Sequence, residues 1–237
     1  MAERQITTLA DPEALAQHTA SWLAERARTH ENRFVVCLSG GSTPKRLFEI
    51  LAAEPYGNAF PWARTHLWWG DERFVPYTDK DSNYGMTRHA LLDHVTIPPE
   101  NIHPMPTAGS PHDAARAYQS EMQNFYDRQL FDPGRPFFDV IFLGLGENGH
   151  TASLFPGTPS LDETLAWVVP VVDNVPQPRL TLTYPAIASS RDVAFLVAGE
   201  GKRTVLRRVL DGDRSQPAAR VSSIGTVHWF TDKAALP

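Results

Sequence analysis

Three runs in this chain are apolar at nearly every consecutive position: Phe34–Leu38 (FVVCL), Asp139–Leu143 (DVIFL) and Val193–Val197 (VAFLV). A strand with one wet face alternates apolar and polar residues, so an unbroken apolar run needs cover on both faces. Four further β-rich runs lie at Thr65–Trp69, Trp167–Val172, Leu180–Thr183 and Val227–Phe230. Helix patterns fall between them. Asp11 before Pro12 caps one that runs to about Thr29, with Leu15, Trp22 and Leu23 on one face. Others run from Thr43-Pro44 to about Ala53, from Asp81-Ser82-Asn83 through Leu92, from Pro111 to about Leu130, and from Gly199-Glu200 to Leu210. Strand-then-helix alternation of this kind predicts an α/β fold: an open, mainly parallel sheet with helices on both faces. Phe131–Pro136 reads as a loop, and nothing marks a boundary within residues 1–237, so a single domain is expected.

Composition narrows the function. Lys plus Arg number 22 against 27 Asp plus Glu, a net charge of −5. A mildly acidic chain has no general footprint for nucleic acid or an anionic membrane, so any bound phosphate needs a local site. The one cysteine, Cys37, excludes a disulfide within the chain. The amino-terminal stretch lacks the apolar segment of a signal peptide, and no run approaches the ~18 residues of a membrane span. The expectation is a cytoplasmic protein, with a monomer as the default.

Ligands of open α/β sheets sit beyond the carboxyl ends of the strands. Three strand ends stand out here. After Leu38 comes Ser39-Gly40-Gly41-Ser42-Thr43-Pro44, where two glycines admit close backbone approach, three hydroxyls supply donors and a helix follows. That combination suits a phosphate, although a tight turn with a Ser/Thr helix cap uses the same residues. It is not G-x-x-x-x-G-K-[ST], so no nucleoside triphosphate is implied. After Trp69 comes Gly70-Asp71-Glu72-Arg73, which either binds an acid or anion or is simply solvated. After Leu143, the residues Gly144, Gly146 and Gly149 spell G-x-G-x-x-G, but Pro156-Gly157 leaves no room for the helix that a dinucleotide requires. NAD is therefore excluded. What remains is a glycine-rich turn presenting His150, whose ordinary pKa near 6.5 suits general-base work. His18, His66 and His228 lie within helix or strand patterns and read as packed or surface residues. No G-x-S-x-G elbow, H-E-x-x-H or metal-ligand spacing is present.

Taken together, LSGGSTPKRLFEIL (38–51), WWGDERFVP (68–76), DSNYGMTRHALL (81–92), FDVIFLGLGENGHTASLFPG (138–157) and RLTLTYPAI (179–187) resemble the 6-phosphogluconolactonase family, relatives of glucosamine-6-phosphate deaminase. The resemblance implies a Rossmann-like fold, no cofactor, no metal, and a small sugar-phosphate lactone as partner. It implies hydrolysis of 6-phospho-D-glucono-1,5-lactone to 6-phosphogluconate, the second step of the oxidative pentose phosphate pathway. The phosphate would lie on Ser39, Gly40, Gly41, Ser42 and Thr43, reached also by Arg179 and Lys202. His150 would activate water, Arg73 would stabilise developing negative charge and Asp71 would hold hydroxyls or water. The family often carries Asp where this chain has Asn148, which leaves only a neutral partner for the histidine. The deaminase pattern after Gly-His reads Ile-Ala-Phe-Asn-Glu-Pro, and its Glu position is Phe155 here, which transfers no proton. The lactonase is therefore the expected member. A sensor that binds a sugar phosphate without catalysis would need neither His150 nor Asp71.

Overall fold

A computed structural model describes residues 3–237. The strands are β1 (Glu3–Leu9), β2 (Phe34–Leu38), β3 (Thr65–Trp69), β4 (Asp71–Arg73), β5 (Ile102–His103), β6 (Phe138–Leu143), β7 (Val168–Val171), β8 (Arg179–Leu182), β9 (Ser190–Val197) and β10 (Thr226–Asp232). The helices are α1 (Pro12–Thr29), α2 (Ser42–Ala52), α3 (Tyr56–Ala59), α4 (Asn83–Thr87), α5 (Pro111–Tyr126), α6 (Tyr184–Ala188) and α7 (Arg203–Leu210). Seven strands form an all-parallel sheet in the order β1-β10-β9-β6-β2-β3-β5. Every residue of β2 and of β6 is buried, as the unbroken apolar runs require, and helices cover both faces of the sheet. Among the described residues no helix is long and apolar enough to cross a membrane.

The strand order contains a switch. From β2 the chain moves outward to β3 and β5, then returns to β6 on the other side of β2 and moves out through β9 and β10. A crevice opens beyond the carboxyl ends of β2 and β6, where connections leave in opposite directions. The loops after these two strands are the glycine-rich segments at Ser39 and Gly144.

Several expectations are corrected. The runs Trp167–Val172 and Leu180–Thr183 do not join the parallel sheet; they form β7 and β8 of a separate antiparallel three-stranded sheet in the order β4-β8-β7. Its inner residues Val168, Leu180 and Leu182 belong to the same apolar core as the large sheet. The helix expected to reach Leu130 ends at Tyr126, because Asp127 adopts a left-handed conformation (φ 56°) and the following loop folds back onto the Tyr126 hydroxyl. The helix from Asn83 does run through Leu92, but its second half, Arg88–Leu92, widens to a π-helical turn. Three strands were not anticipated: β1, β4 and β5. The cap on α1 is as read, with the Ala14 amide donating to Asp11 Oδ1 at 2.8 Å.

At the core, Phe195 on β9 and Trp229 on β10 are register partners whose rings stack 3.9 Å apart and 2° from parallel. Trp229→Ala would empty this layer and is expected to cost about 3–5 kcal/mol. Chemical denaturation of the two proteins measures that difference.

Candidate active site

The crevice is a cleft of about 660 Å³, and all ten residues singled out from the sequence line it: Ser39, Gly40, Gly41, Ser42, Thr43, Asp71, Arg73, His150, Arg179 and Lys202. They come from three loops that follow strands β2, β6 and β9 of the large sheet and from strands β4 and β8 of the small one, so both sheets are needed to build the cleft.

The first wall is the loop from β2 into α2. Gly41 sits at φ 105°, a conformation that side chains rarely adopt, and α2 begins at Ser42 with no side chain capping its first amides. Those amides and the positive end of the helix face the cleft, which suits an anion. At Gly40 a Cβ would lie 1.9 Å from Asn83 Oδ1, so the Asn83 side chain occupies the space that glycine leaves.

The second wall is the small sheet. Arg73 on β4 pairs in register with Arg179 on β8. The Arg73 guanidinium donates to the Asp81 carbonyl at 2.8 Å, while the buried Nε of Arg73 and that of Arg179 have no hydrogen-bond partner. Among the described residues neither arginine is in an ion pair. Burial and the neighbouring Arg73 charge lower the pKa of Arg179. Two crowded guanidiniums without a counter-ion are an unmet demand for an anion. Asp71 is 6% exposed and is held from two sides. Ser153 Oγ donates to its Oδ2 at 2.7 Å, and Asn83 Nδ2 donates to its backbone carbonyl at 2.9 Å and to its Oδ1 at 3.3 Å.

The third wall carries His150. No helix follows Gly144, Gly146 and Gly149; the chain makes tight turns instead, with the Gly146 amide donating to the His150 carbonyl at 2.8 Å. A Cβ on Gly146 would sit 2.1 Å from the His150 ring, so this glycine is required by the ring it faces. His150 Nδ1 lies 2.5 Å from Asn148 Oδ1. An amide oxygen only accepts, so Nδ1 carries a proton, and in the neutral ring the lone pair is then on Nε2. Phe155 packs on the imidazole with ring centroids 4.4 Å apart. Burial lowers the His150 pKa below its ordinary 6.5; Asp71 opposes this, and Arg179, Lys202 and Arg73 reinforce it. Lys202 enters from the 3₁₀ turn Glu200–Lys202 after β9.

The sequence reading missed Asn83 and Ser153, the two side chains that hold Asp71. Asn83 read only as a helix-start residue. His18, His66 and His228 are packed residues, in line with their place in helix and strand patterns: His228 Nε2 bonds Asp192 at 2.7 Å, His66 Nδ1 meets His103 Nε2 at 3.2 Å, and His18 lies edge-on to Phe230. Among the described residues no group of three His, Cys, Asp or Glu side chains is arranged to hold a metal.

The chain is similar to known proteins over most of its length. The family model described as glucosamine-6-phosphate isomerases/6-phosphogluconolactonase matches residues 10–229. The chain is 44% identical over 215 residues to the 6-phosphogluconolactonase of a Synechocystis strain, covering 89% of this chain and 86% of that protein. It is 38% identical to the one from a Nostoc strain, over 98% of this chain and 97% of that protein. Among solved structures, the 6-phosphogluconolactonase from Thermotoga maritima superposes with a TM-score of 0.85 at 28% identity, over 98% of this chain and all of the other. A monomeric glucosamine-6-phosphate deaminase, 21% identical, shares the fold with a TM-score of 0.79. The chain belongs to the glucosamine-6-phosphate isomerase/6-phosphogluconolactonase family.

Proposed function

We propose that the chain hydrolyses 6-phospho-D-glucono-1,5-lactone to 6-phospho-D-gluconate, the second step of the oxidative pentose phosphate pathway. The observation that carries this reading is the packing of Phe155 on His150. Opening a pyranose ring, as a deaminase must, calls for a proton-relaying partner beside the histidine, and a phenyl ring cannot relay. A lactone needs only an activated water and a place for the oxyanion.

In this mechanism the 6-phosphate docks on Ser39–Thr43 and the first amides of α2, with Arg179 and Lys202 closing around it. Binding energy at this remote group fixes C1 near the chemistry. His150 Nε2 takes a proton from water as the water oxygen bonds to C1. Arg73 stabilises the negative charge that develops on the carbonyl oxygen, and Asp71 orients substrate hydroxyls or the water. As the tetrahedral intermediate collapses, the C1–ring-oxygen bond breaks and the imidazolium returns its proton to the departing oxygen. All these roles fall to side chains of the chain itself. A sensor without catalysis would have no use for an imidazole oriented at the cleft beside an anion site.

Two outcomes test the reading. Glucono-1,5-lactone without the 6-phosphate forfeits at least two charge-assisted hydrogen bonds, each worth ~1.5–3 kcal/mol. Its kcat/KM is expected to be at least ~10² below that of the phosphorylated lactone, and equal values would remove the anion site from the account. His150→Ala is expected to lower kcat by at least ~10², the lower end of general-base contributions. Its KM should change little, because affinity is assigned to Ser39–Thr43, Arg179 and Lys202; both are read in a lactone-hydrolysis assay near neutral pH, corrected for spontaneous hydrolysis.

A further inference from the structure

Glu72 lies between two residues of the proposed machinery, yet it is 1% exposed and does not line the cleft. A carboxylate so deeply buried is costly unless its lone pairs are all used. Here they are. Oε1 accepts from the amides of Arg73 (2.8 Å) and Asn83 (2.7 Å), and Oε2 accepts from the Tyr84 amide (2.8 Å) and from Ser82 Oγ (3.1 Å). Three of the four donors open α4, so this one side chain ties the start of α4 to β4.

The residue at the centre of that tie is Asn83. Its amide nitrogen is held by Glu72, and its side chain reaches Asp71 on one side and fills the space beside Gly40 on the other. We infer that Glu72 is a positioning residue that acts through Asn83 to set Asp71 and the anion loop in register with each other. The inference rests on the lactonase reading for the meaning of those two groups.

Protonation would disturb the tie, because both oxygens face donors and a new O–H has only the Ser82 hydroxyl to turn to. Burial pushes the Glu72 pKa up to about 7, against the three backbone N–H bonds, which pull it down. The charged and titratable groups around it are Asp71 and Arg73 on β4, Arg179 on β8, Tyr77 in the following loop and Tyr84 on α4. The positioning role therefore depends on the ionised form.

The test is a double-mutant cycle of Glu72→Gln and Asn83→Ala, read as kcat/KM on the phosphorylated lactone and as the Kd of inorganic phosphate. At pH 7.5, Glu72→Gln is expected to lower kcat/KM at least tenfold in the parent and less than twofold in the Asn83→Ala background. The parent-to-Glu72→Gln ratio should also shrink as pH falls to 5.5, since His150 and substrate ionisations are common to both proteins and cancel. Additive penalties, or a ratio that stays constant with pH, would overturn the proposal and leave Glu72 a purely structural group. Should Glu72→Gln fail to fold, Ser82→Ala removes one of the four donors, and a smaller loss (~3-fold) that vanishes in the Asn83→Ala background is expected. A parent protein that does not hydrolyse the lactone would strike the functional reading alone. The phosphate Kd then decides on Glu72: weakening in the parent but not in the Asn83→Ala background supports it, and equal weakening in both overturns it.

Discussion

Which nitrogen of the neutral His150 ring carries the proton is set by one hydrogen bond, from its Nδ1–H to Asn148 Oδ1 at 2.5 Å. Much of the third wall is shaped by the ring that this bond orients. Gly146 has no Cβ because the ring stands where one would go, and Gly149 takes φ 80° with its Cβ position already filled by Gln216. Phe155 covers one face of the imidazole. A carboxylate at residue 148 would draw a second proton onto the ring; the amide does not. Together with burial and the charges of Arg179, Lys202 and Arg73, it favours the neutral form near pH 7. The weaker partner is thus matched to a ring already depleted of proton affinity.

The rest of the cleft is organised by charge. The chain carries a net −5, yet Arg73, Arg179, Lys202 and the uncapped start of α2 converge on one crevice. Such a concentration is unfavourable in the unliganded protein: burial first, and the Arg73 charge second, lower the pKa of Arg179. An anionic ligand repays it, which is why the phosphate end of a substrate, and not its sugar, is expected to dominate recognition. Asp71 stands close enough to moderate the field without neutralising it, because Ser153 and Asn83 already occupy its oxygens.

The large sheet was legible where burial acts on both faces. Phe34–Leu38 and Asp139–Leu143 could be little other than interior strands, and their carboxyl ends located the site. The edge was not legible. β1 (ERQITTL) is largely exposed, so its pattern carries no burial signal. β4 reads as charged loop, since the buried carboxylates of Asp71 and Glu72 are satisfied by hydrogen bonds from residues 82–84 and 153, which no local pattern announces. β7 and β8 look like interior parallel strands because they too are covered, and only chain topology assigns them to a second sheet. Of the site, the glycines and His150 were visible in sequence, as their residue types are conspicuous. Asn83 was not, since an asparagine at a helix start has an ordinary explanation.

The central claim is that His150 is neutral, with its proton on Nδ1 and Nε2 free. Nitrogen-15 NMR of the histidine side chains, with His150 assigned by comparison with His150→Gln, measures this directly. The account predicts a protonated Nδ1 and a bare Nε2 at pH 7, with the ring titrating below its ordinary 6.5. A proton on Nε2 at pH 7, or titration above 6.5, would contradict it.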